Sequence, residues 1–253
     1  NKKQIMAVSV DTVYQRVLAI LNKEQRGYVT PQEFNLFANQ AQLDIFEQYF
    51  YDINQFGRMP GNDTEFSDML NILNEKINIF ETNAAMTYGG TYWSTPANLY
   101  RLGTIVYGNV TTSKSLYPAP NTVVTTTTQV EAERINYNEF LYIDQSSLAK
   151  PTNSRPVFVA SASGYQVYGD APLVTGVRCN YIKNPSQVEW AYQMVFGEAL
   201  YNANESTNFE LHPSEETELV IKILEFAGLV VKDLSIYGIA SQMNAQTNQQ
   251  EKA

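Results

Sequence analysis

The chain has 253 residues, 44% of them hydrophobic and 12% aromatic, and 17 Lys and Arg against 26 Asp and Glu give it a net charge of −9. That length suits one large domain or two small ones, with enough apolar content for a sizeable core. The acidic balance argues against a nucleic-acid grip, which needs a basic face, and the apolar runs fall far short of the about 20 residues of a membrane span.

Charged residues make up only 17%, and Asn and Gln fill much of the gap, so the surface is neutral-polar. Ile5 to Val10 is too short for the apolar core of a signal peptide. One cysteine, Cys179, excludes an internal disulfide framework and fits a reducing compartment. With His212 as the single histidine there is no Cys/His zinc site, and any nucleophilic triad must use it.

The first third reads as helical. Val13, Tyr14, Val17, Leu18, Ile20 and Leu21 form one apolar stripe, with Ser9 or Asp11 to cap the start and Gly27 to stop it. Thr30-Pro31-Gln32-Glu33 predicts a helix start with a capping box. The helix that follows carries Phe34, Phe37, Ala38, Ala41, Ile45, Tyr49 and Phe50 and breaks by Gly57, before Pro60-Gly61. A third helix is predicted from about Thr64 to Phe80 with Phe66, Met69, Leu70, Leu73 and Ile77.

From about Thr87 to Lys183 the chain becomes rich in Thr, Tyr, Val and Gly with strand alternation. Strands are predicted at Tyr92-Trp93, Leu99 to Tyr107, Gln129 to Tyr137, Val157 to Ala160, Tyr165 to Tyr168 and Leu173 to Ile182, with a short helix over Asn138 to Tyr142. Ser161-Ala162-Ser163-Gly164 marks a hairpin turn, and Pro185 ends the sheet region. Between Gly108 and Gln129 lies a Thr-rich stretch with Pro118 and Pro120, either a surface loop or an arm that pairs with a neighbouring subunit by strand addition.

Helices are predicted to return over Val188 to Tyr201, and from Pro213-Ser214-Glu215-Glu216 to Gly228, where two acids suit the first turn. Val231 to Ala240 reads as a strand or short helix. Ser241 to Ala253 is so polar that it should order only on a partner. The plan is α+β, a helical bundle from both ends of the chain with an inserted, mainly antiparallel β-domain. Its parts are an N-terminal helical region 1–86, a β-domain 87–184 with a Thr-rich arm at about 108–129, a C-terminal helical region 185–240 completing the bundle, and a polar tail 241–253.

Few residues promise chemistry. Tyr88-Gly89-Gly90-Thr91 lacks the length and the lysine of a phosphate loop and reads as a turn. A catalytic His212 would need a nucleophile and an orienting acid beside it; before Pro213 it reads more simply as a capping or surface residue. Cys179, in an alternating strand, reads as buried and inert. Glu131 and Glu133 share a strand face, and Glu215 and Glu216 open a helix; such pairs could serve glycoside hydrolysis but suit solvated faces and caps equally. Seventeen tyrosines are many for this length, and tyrosine suits interfaces. Tyr49-Phe50-Tyr51 puts aromatics in three directions on one helix, so at least one must face another surface.

Several segments carry a resemblance: Val10-Asp11-Thr12-Val13-Tyr14-Gln15-Arg16-Val17, Asn22-Lys23-Glu24-Gln25-Arg26-Gly27, Thr30-Pro31-Gln32-Glu33-Phe34-Asn35, Leu99-Tyr100-Arg101-Leu102-Gly103, Asn138-Glu139-Phe140-Leu141-Tyr142 and Glu210-Leu211-His212-Pro213-Ser214-Glu215-Glu216. The chain resembles virion structural proteins of tailed phages, of the kind found in crAss-like phages and marine relatives. It is similar in plan to the head-to-tail adaptor or neck ring proteins of short-tailed phages. The resemblance spans roughly Val10 to Tyr237, with Val110 to Thr128 as an uncovered insertion.

It implies a ring, usually twelvefold, beneath the portal, without catalysis, cofactor or metal. Such a ring extends the DNA channel without sequence-specific binding and gives the tail a platform. The implied partners are further copies of the chain, the portal, and further neck or tail rings, in a virion made in the bacterial cytoplasm. The candidate contact residues are Tyr49, Phe50 and Tyr51, Thr125, Thr126, Thr127 and Thr128 of the arm, and Glu215 and Glu216. Two other readings stay open: a carbohydrate- or receptor-binding tail module using the β-domain, and a carboxylate hydrolase acting on cell walls.

Overall fold

The computed structural model describes residues 7–23, 29–56, 69–115, 122–231, 241–243 and 245–246. The expectations at Gly27, Gly57, Pro60, Gly61, Phe66, Pro118, Pro120 and Lys232 to Ala240 lie outside these residues. The fold is α+β. One compact unit joins Asn1–Ile79 to Pro185–Ala253, and the other, Phe80–Asn184, is inserted between them.

In the helical unit, α1 (Val10–Lys23) starts at Ser9, whose Oγ accepts the Thr12 N–H at 3.4 Å. Asp11, the other candidate cap, instead accepts the indole N–H of Trp190 at 3.0 Å. Val13, Tyr14, Val17 and Leu21 are buried, whereas Ile20 is exposed, so the stripe is narrower than the sequence suggests. Helix α2 (Pro31–Phe56) opens on a reciprocal box: Glu33 N–H to Thr30 Oγ1 at 3.3 Å, and Thr30 N–H and Oγ1 to Glu33 Oε2 at 2.9 and 2.8 Å.

The Thr30 N–H above all, and its hydroxyl next, hold the Glu33 carboxyl below the usual glutamate range. A group depressed in the folded state adds stability above its unfolded pKa and loses it as pH falls through the lower, folded one. The box is therefore expected to open only below the ordinary carboxylate range. An NMR titration should place the Glu33 midpoint under that of a free glutamate, and Thr30→Ala, which removes the hydroxyl but keeps the backbone N–H, should move it back only in part.

Helix α2 packs against α3 (Met69–Asn78) and α5 (Glu216–Val231), and α1 against α5. Phe34, Ala38, Ala41, Ile45 and Phe46 on α2, Leu73 and Ile77 on α3, and Leu219 and Ile223 on α5 are all buried. Helix α5 does not stop at Gly228 but runs through it to Val231. A helical glycine costs only about 1 kcal/mol against alanine, and the apolar run around it outweighs that. In the polar tail, residues 241–243 and 245–246 are helical, where the sequence alone suggests no structure without a partner.

The helix predicted over Val188 to Tyr201 is absent. Pro185 to Ala191 is neither helix nor strand apart from an antiparallel bridge between Glu189 and Thr207, and β9 (Tyr192–Val195) and β10 (Glu198–Tyr201) form an antiparallel hairpin. The reason lies on α2. Asn39 Nδ2 donates to the Val188 carbonyl at 2.9 Å and Asn39 Oδ1 accepts its N–H at 2.8 Å. Asn35 does the same for Trp190, at 3.4 and 2.8 Å. Gln42 donates to the Ser186 carbonyl at 2.8 Å and accepts the Glu210 N–H at 3.1 Å. Residues 35, 39 and 42 share one helix face, so their amides serve the segment as a neighbouring strand would.

The β-unit holds eight strands in the order β1-β8-β4-β5-β6-β7-β3-β2. These are β1 (Glu81–Ala85), β2 (Thr87–Tyr88), β3 (Trp93–Ser94), β4 (Leu99–Ser115), β5 (Thr122–Ile135), β6 (Val157–Ser161), β7 (Gly164–Tyr168) and β8 (Val177–Lys183), with α4 (Tyr137–Gln145) after β5. All neighbouring pairs are antiparallel except β5 and β6. The sheet curls on itself, so that Trp93 of β3 shares a core with Ile105, Phe158, Val177, Cys179 and Tyr181.

The strand phase begins earlier than the change of texture near Thr87, because β1 pairs along its whole length with β8. The turn at Ser161 to Gly164 forms as expected. There a Cβ on Gly164 would lie 2.6 Å from the Trp93 carbonyl oxygen, so only glycine fits.

Candidate functional site

Two exposed features stand out from the residues upward, one in each unit. The first is the β9–β10 hairpin. Its base is held by Trp190, which lies 4.3 Å from Tyr14, 5.9 Å from Tyr192 and 5.7 Å from Tyr201 between ring centroids. A groove of about 730 Å³ runs between this hairpin, α1 and the start of α2, with Tyr14, Leu18, Trp190, Tyr192 and Tyr201 in its lining. Sequence reasoning missed this site because Trp190, Met194 and Val195 also fit a helical period. The signals available were Gly197 and the alternation of Tyr192 with Met194 and of Ala199 with Tyr201 around it.

The second feature is the Thr-rich stretch. It is not an irregular surface loop. β4 and β5 continue as a two-stranded ribbon, with Asn109 opposite Thr128, Thr112 opposite Thr125 and Ser115 opposite Thr122. The pairing of β4 with β8 ends at Tyr107, after which the Gly108 N–H reaches the Gly176 carbonyl at 2.9 Å. Beyond that point, among the described residues, each strand of the ribbon has only the other as a ladder partner. Eight residues at about 3.4 Å each extend it by roughly 25 Å. Thr125, Thr126, Thr127 and Thr128 all lie on this ribbon, and Thr127 and Thr128 are exposed.

The other singled-out residues separate. Tyr49 is buried and Tyr51 exposed, while half-buried Phe50 stacks edge-on against Phe46 at 5.1 Å. The three directions therefore hold, with Tyr51 the outward one. Glu215 is not on a solvated face. It is buried in the 3-10 turn Pro213–Glu215 and pairs with Lys76 Nζ at 2.7 Å. Lys76 also lies 5.5 Å from the Tyr49 ring centroid, so Tyr49 and Glu215 meet through it inside the helical unit. Glu216 pairs with Arg16 at 2.9 Å. Burial of a first-turn acid could not be read from the sequence, because Lys76 lies in a distant helix.

His212 caps the 3-10 turn: its Nδ1 accepts the Ser214 N–H at 3.2 Å. Ser214 Oγ donates to Glu215 Oε1 at 2.9 Å, which ties the same turn together. Cys179 is fully buried on β8, and burial pushes its thiol up against the smaller opposing pull of Arg178. Tyr88 Oη donates to the Gly90 carbonyl at 2.7 Å in the turn between β2 and β3. Glu131 and Glu133 are exposed on β5. Among the described residues there is no group of three His, Cys, Asp or Glu side chains placed to hold a metal ion, and no helix long and apolar enough to cross a membrane. No protein-family model matches the chain, and no curated protein matches it.

Proposed function

We propose that this chain is a non-enzymatic structural protein of a tailed-phage virion. In this reading it forms a ring in the head-to-tail connector, as an adaptor below the portal that extends the DNA channel and gives the tail a platform. The single observation that carries the reading is the β4–β5 ribbon. A lone two-stranded ribbon is marginal in water, and its open backbone edges are templates for another strand. A chain that keeps such an arm keeps it for a partner, and a neighbouring subunit or ring supplies one. The net charge of −9 suits a channel wall along which DNA slides without sticking.

Light scattering behind size exclusion, on the chain alone and with the portal protein of the same virion, tests the reading. A ring on the portal is the expected result; monomers with and without portal would sink it. Replacing Val110 to Thr127 by Asn-Gly closes the ribbon at the paired Asn109 and Thr128. This shortened chain should melt as the full one does, yet lose most of its ring assembly. Undiminished assembly would remove the arm from the interface.

A further inference from the structure

Two strand edges stay open, one in each unit. The register of β4 on β5 runs unbroken from Ile105 opposite Ala132 to Ser115 opposite Thr122. The Gly108 N–H points away from β5, to the Gly176 carbonyl. Backbone groups alternate in direction along an antiparallel strand, so those of Val110, Thr112 and Lys114 point the same way as those of Gly108. Pairing with β8 has ended by then, and among the described residues no other strand takes them.

The second edge is β10, which with β9 forms a sheet of two strands. The Asn202 N–H bonds the Ala191 carbonyl at 2.9 Å, in line with the pairs from Val195–Glu198 to Tyr192–Tyr201. Alternation then turns the backbone of Glu198 and Leu200 towards β9 and that of Ala199 and Tyr201 outward. Neither edge carries a proline, one of the usual guards against strand addition. The hairpin also shows the marks of a contact: Phe196 in its turn is fully exposed at a φ of 53°, which a bulky residue disfavours, and Leu200 is 55% exposed.

Charge decides which edges meet. Lys114 is the only charged residue from Leu102 to Val130, and Glu198 is the only one from Tyr192 to Tyr201. Arm on arm brings like charges together, and so does hairpin on hairpin; arm on hairpin brings unlike ones together. The units differ in the same sense. Phe80–Asn184 holds only six of the 26 Asp and Glu but seven of the 17 Lys and Arg, so the acids crowd into the helical unit. Each copy supplies one arm and one hairpin, so every arm finds a hairpin on the next copy.

We infer that the β4 edge of one copy adds antiparallel to the β10 edge of the next. Matching the outward backbone groups sets Thr112 opposite Ala199 and Val110 opposite Tyr201, with Lys114 one position from Glu198. The two ribbons become a sheet in the order β5-β4-β10-β9. Arm and hairpin are different surfaces on different units, so the contact is heterologous and closes into a ring when the rotation allows. The inference rests on the ring reading above and names the contact through which copies join.

Sedimentation velocity over a concentration series tests it on the full chain, without portal. Lys114→Glu and Glu198→Lys should each weaken self-association by about fivefold, because an attraction across the joint becomes a repulsion. Mixed in equal amounts, the two variants present unlike charges at every joint and should associate as the natural chain does. Ala199→Pro removes an outward N–H but none that pairs with β9, and should cost about tenfold in self-association.

If the natural chain associates but the mixture associates no better than either variant alone, the arm-to-hairpin contact is overturned while the ring reading stands. If the natural chain stays monomeric at every concentration, the contact is overturned and the ring reading is judged by the portal experiment alone. If Ala199→Pro lowers portal binding with self-association unchanged, the β10 edge takes the portal and the contact between copies is overturned.

Discussion

Trp190→Ala is expected to destabilise the helical unit by about 3–5 kcal/mol, in the range for deleting a buried large aromatic side chain. Trp190 is buried at the centre of Tyr14, Tyr192 and Tyr201, and its Nε1 donates to Asp11 Oδ1 at 3.0 Å. Removing it leaves a void at the base of the β9–β10 hairpin and an acid at the start of α1 without that donor. Denaturant unfolding followed by circular dichroism should show the loss. Trp93 in the β-unit keeps its own fluorescence report and should change little. Trp190→Phe keeps much of the stacking but not the N–H, and should cost about 1–3 kcal/mol, the range for stranding a buried polar group. A loss under about 1 kcal/mol for the alanine variant would mean that the hairpin is held by something other than this ring.

The second large effect is expected at Asn39. Asn39→Ala strands both the N–H and the carbonyl of Val188, a residue only 2% exposed, and should cost about 2–4 kcal/mol. Hydrogen exchange should locate the damage, with amides from Ser186 to Trp190 exchanging faster while those in the middle of α2 stay protected. Asn39→Asp separates the two bonds. It can still accept the Val188 N–H, but a carboxylate oxygen then faces the Val188 carbonyl. That repulsion raises the folded pKa of the new acid, so the variant should gain stability as pH falls through it and lose stability as pH rises. Equal stability of the aspartate variant at pH 4 and pH 7 would refute the donor role of the amide. Trp190 and Asn39 hold the same segment, so the double alanine variant should cost less than the sum of its parts.

Much of the local structure was legible in the sequence. The Thr30-to-Glu33 box, a start of α1 at Ser9 or Asp11, the turn at Ser161 to Gly164 and the burial of Cys179 rest on interactions within a few residues or on strict alternation. The arm was half legible: its Thr-rich, β-branched composition pointed to extended chain, but not to a ribbon whose two strands pair with each other. The candidate contact set was less so. Tyr51 does face outward, yet Tyr49 and Glu215 turn inward to Lys76, and the hairpin with Phe196 at its tip was read as helix.

By itself the sequence determined the caps, the helix and strand periods, the closing turns and the α+β plan, because each depends on neighbours along the chain. Tertiary structure alone decided that Val188 to Tyr201 forms no helix but a bridge and a hairpin, that Glu215 is buried and that an aromatic groove opens beside β9–β10. Those outcomes depend on partners far away: Asn39 and Val188 are 149 positions apart. An amide on a helix reads as a surface residue until a second segment, carrying unpaired backbone groups of its own, is folded against it.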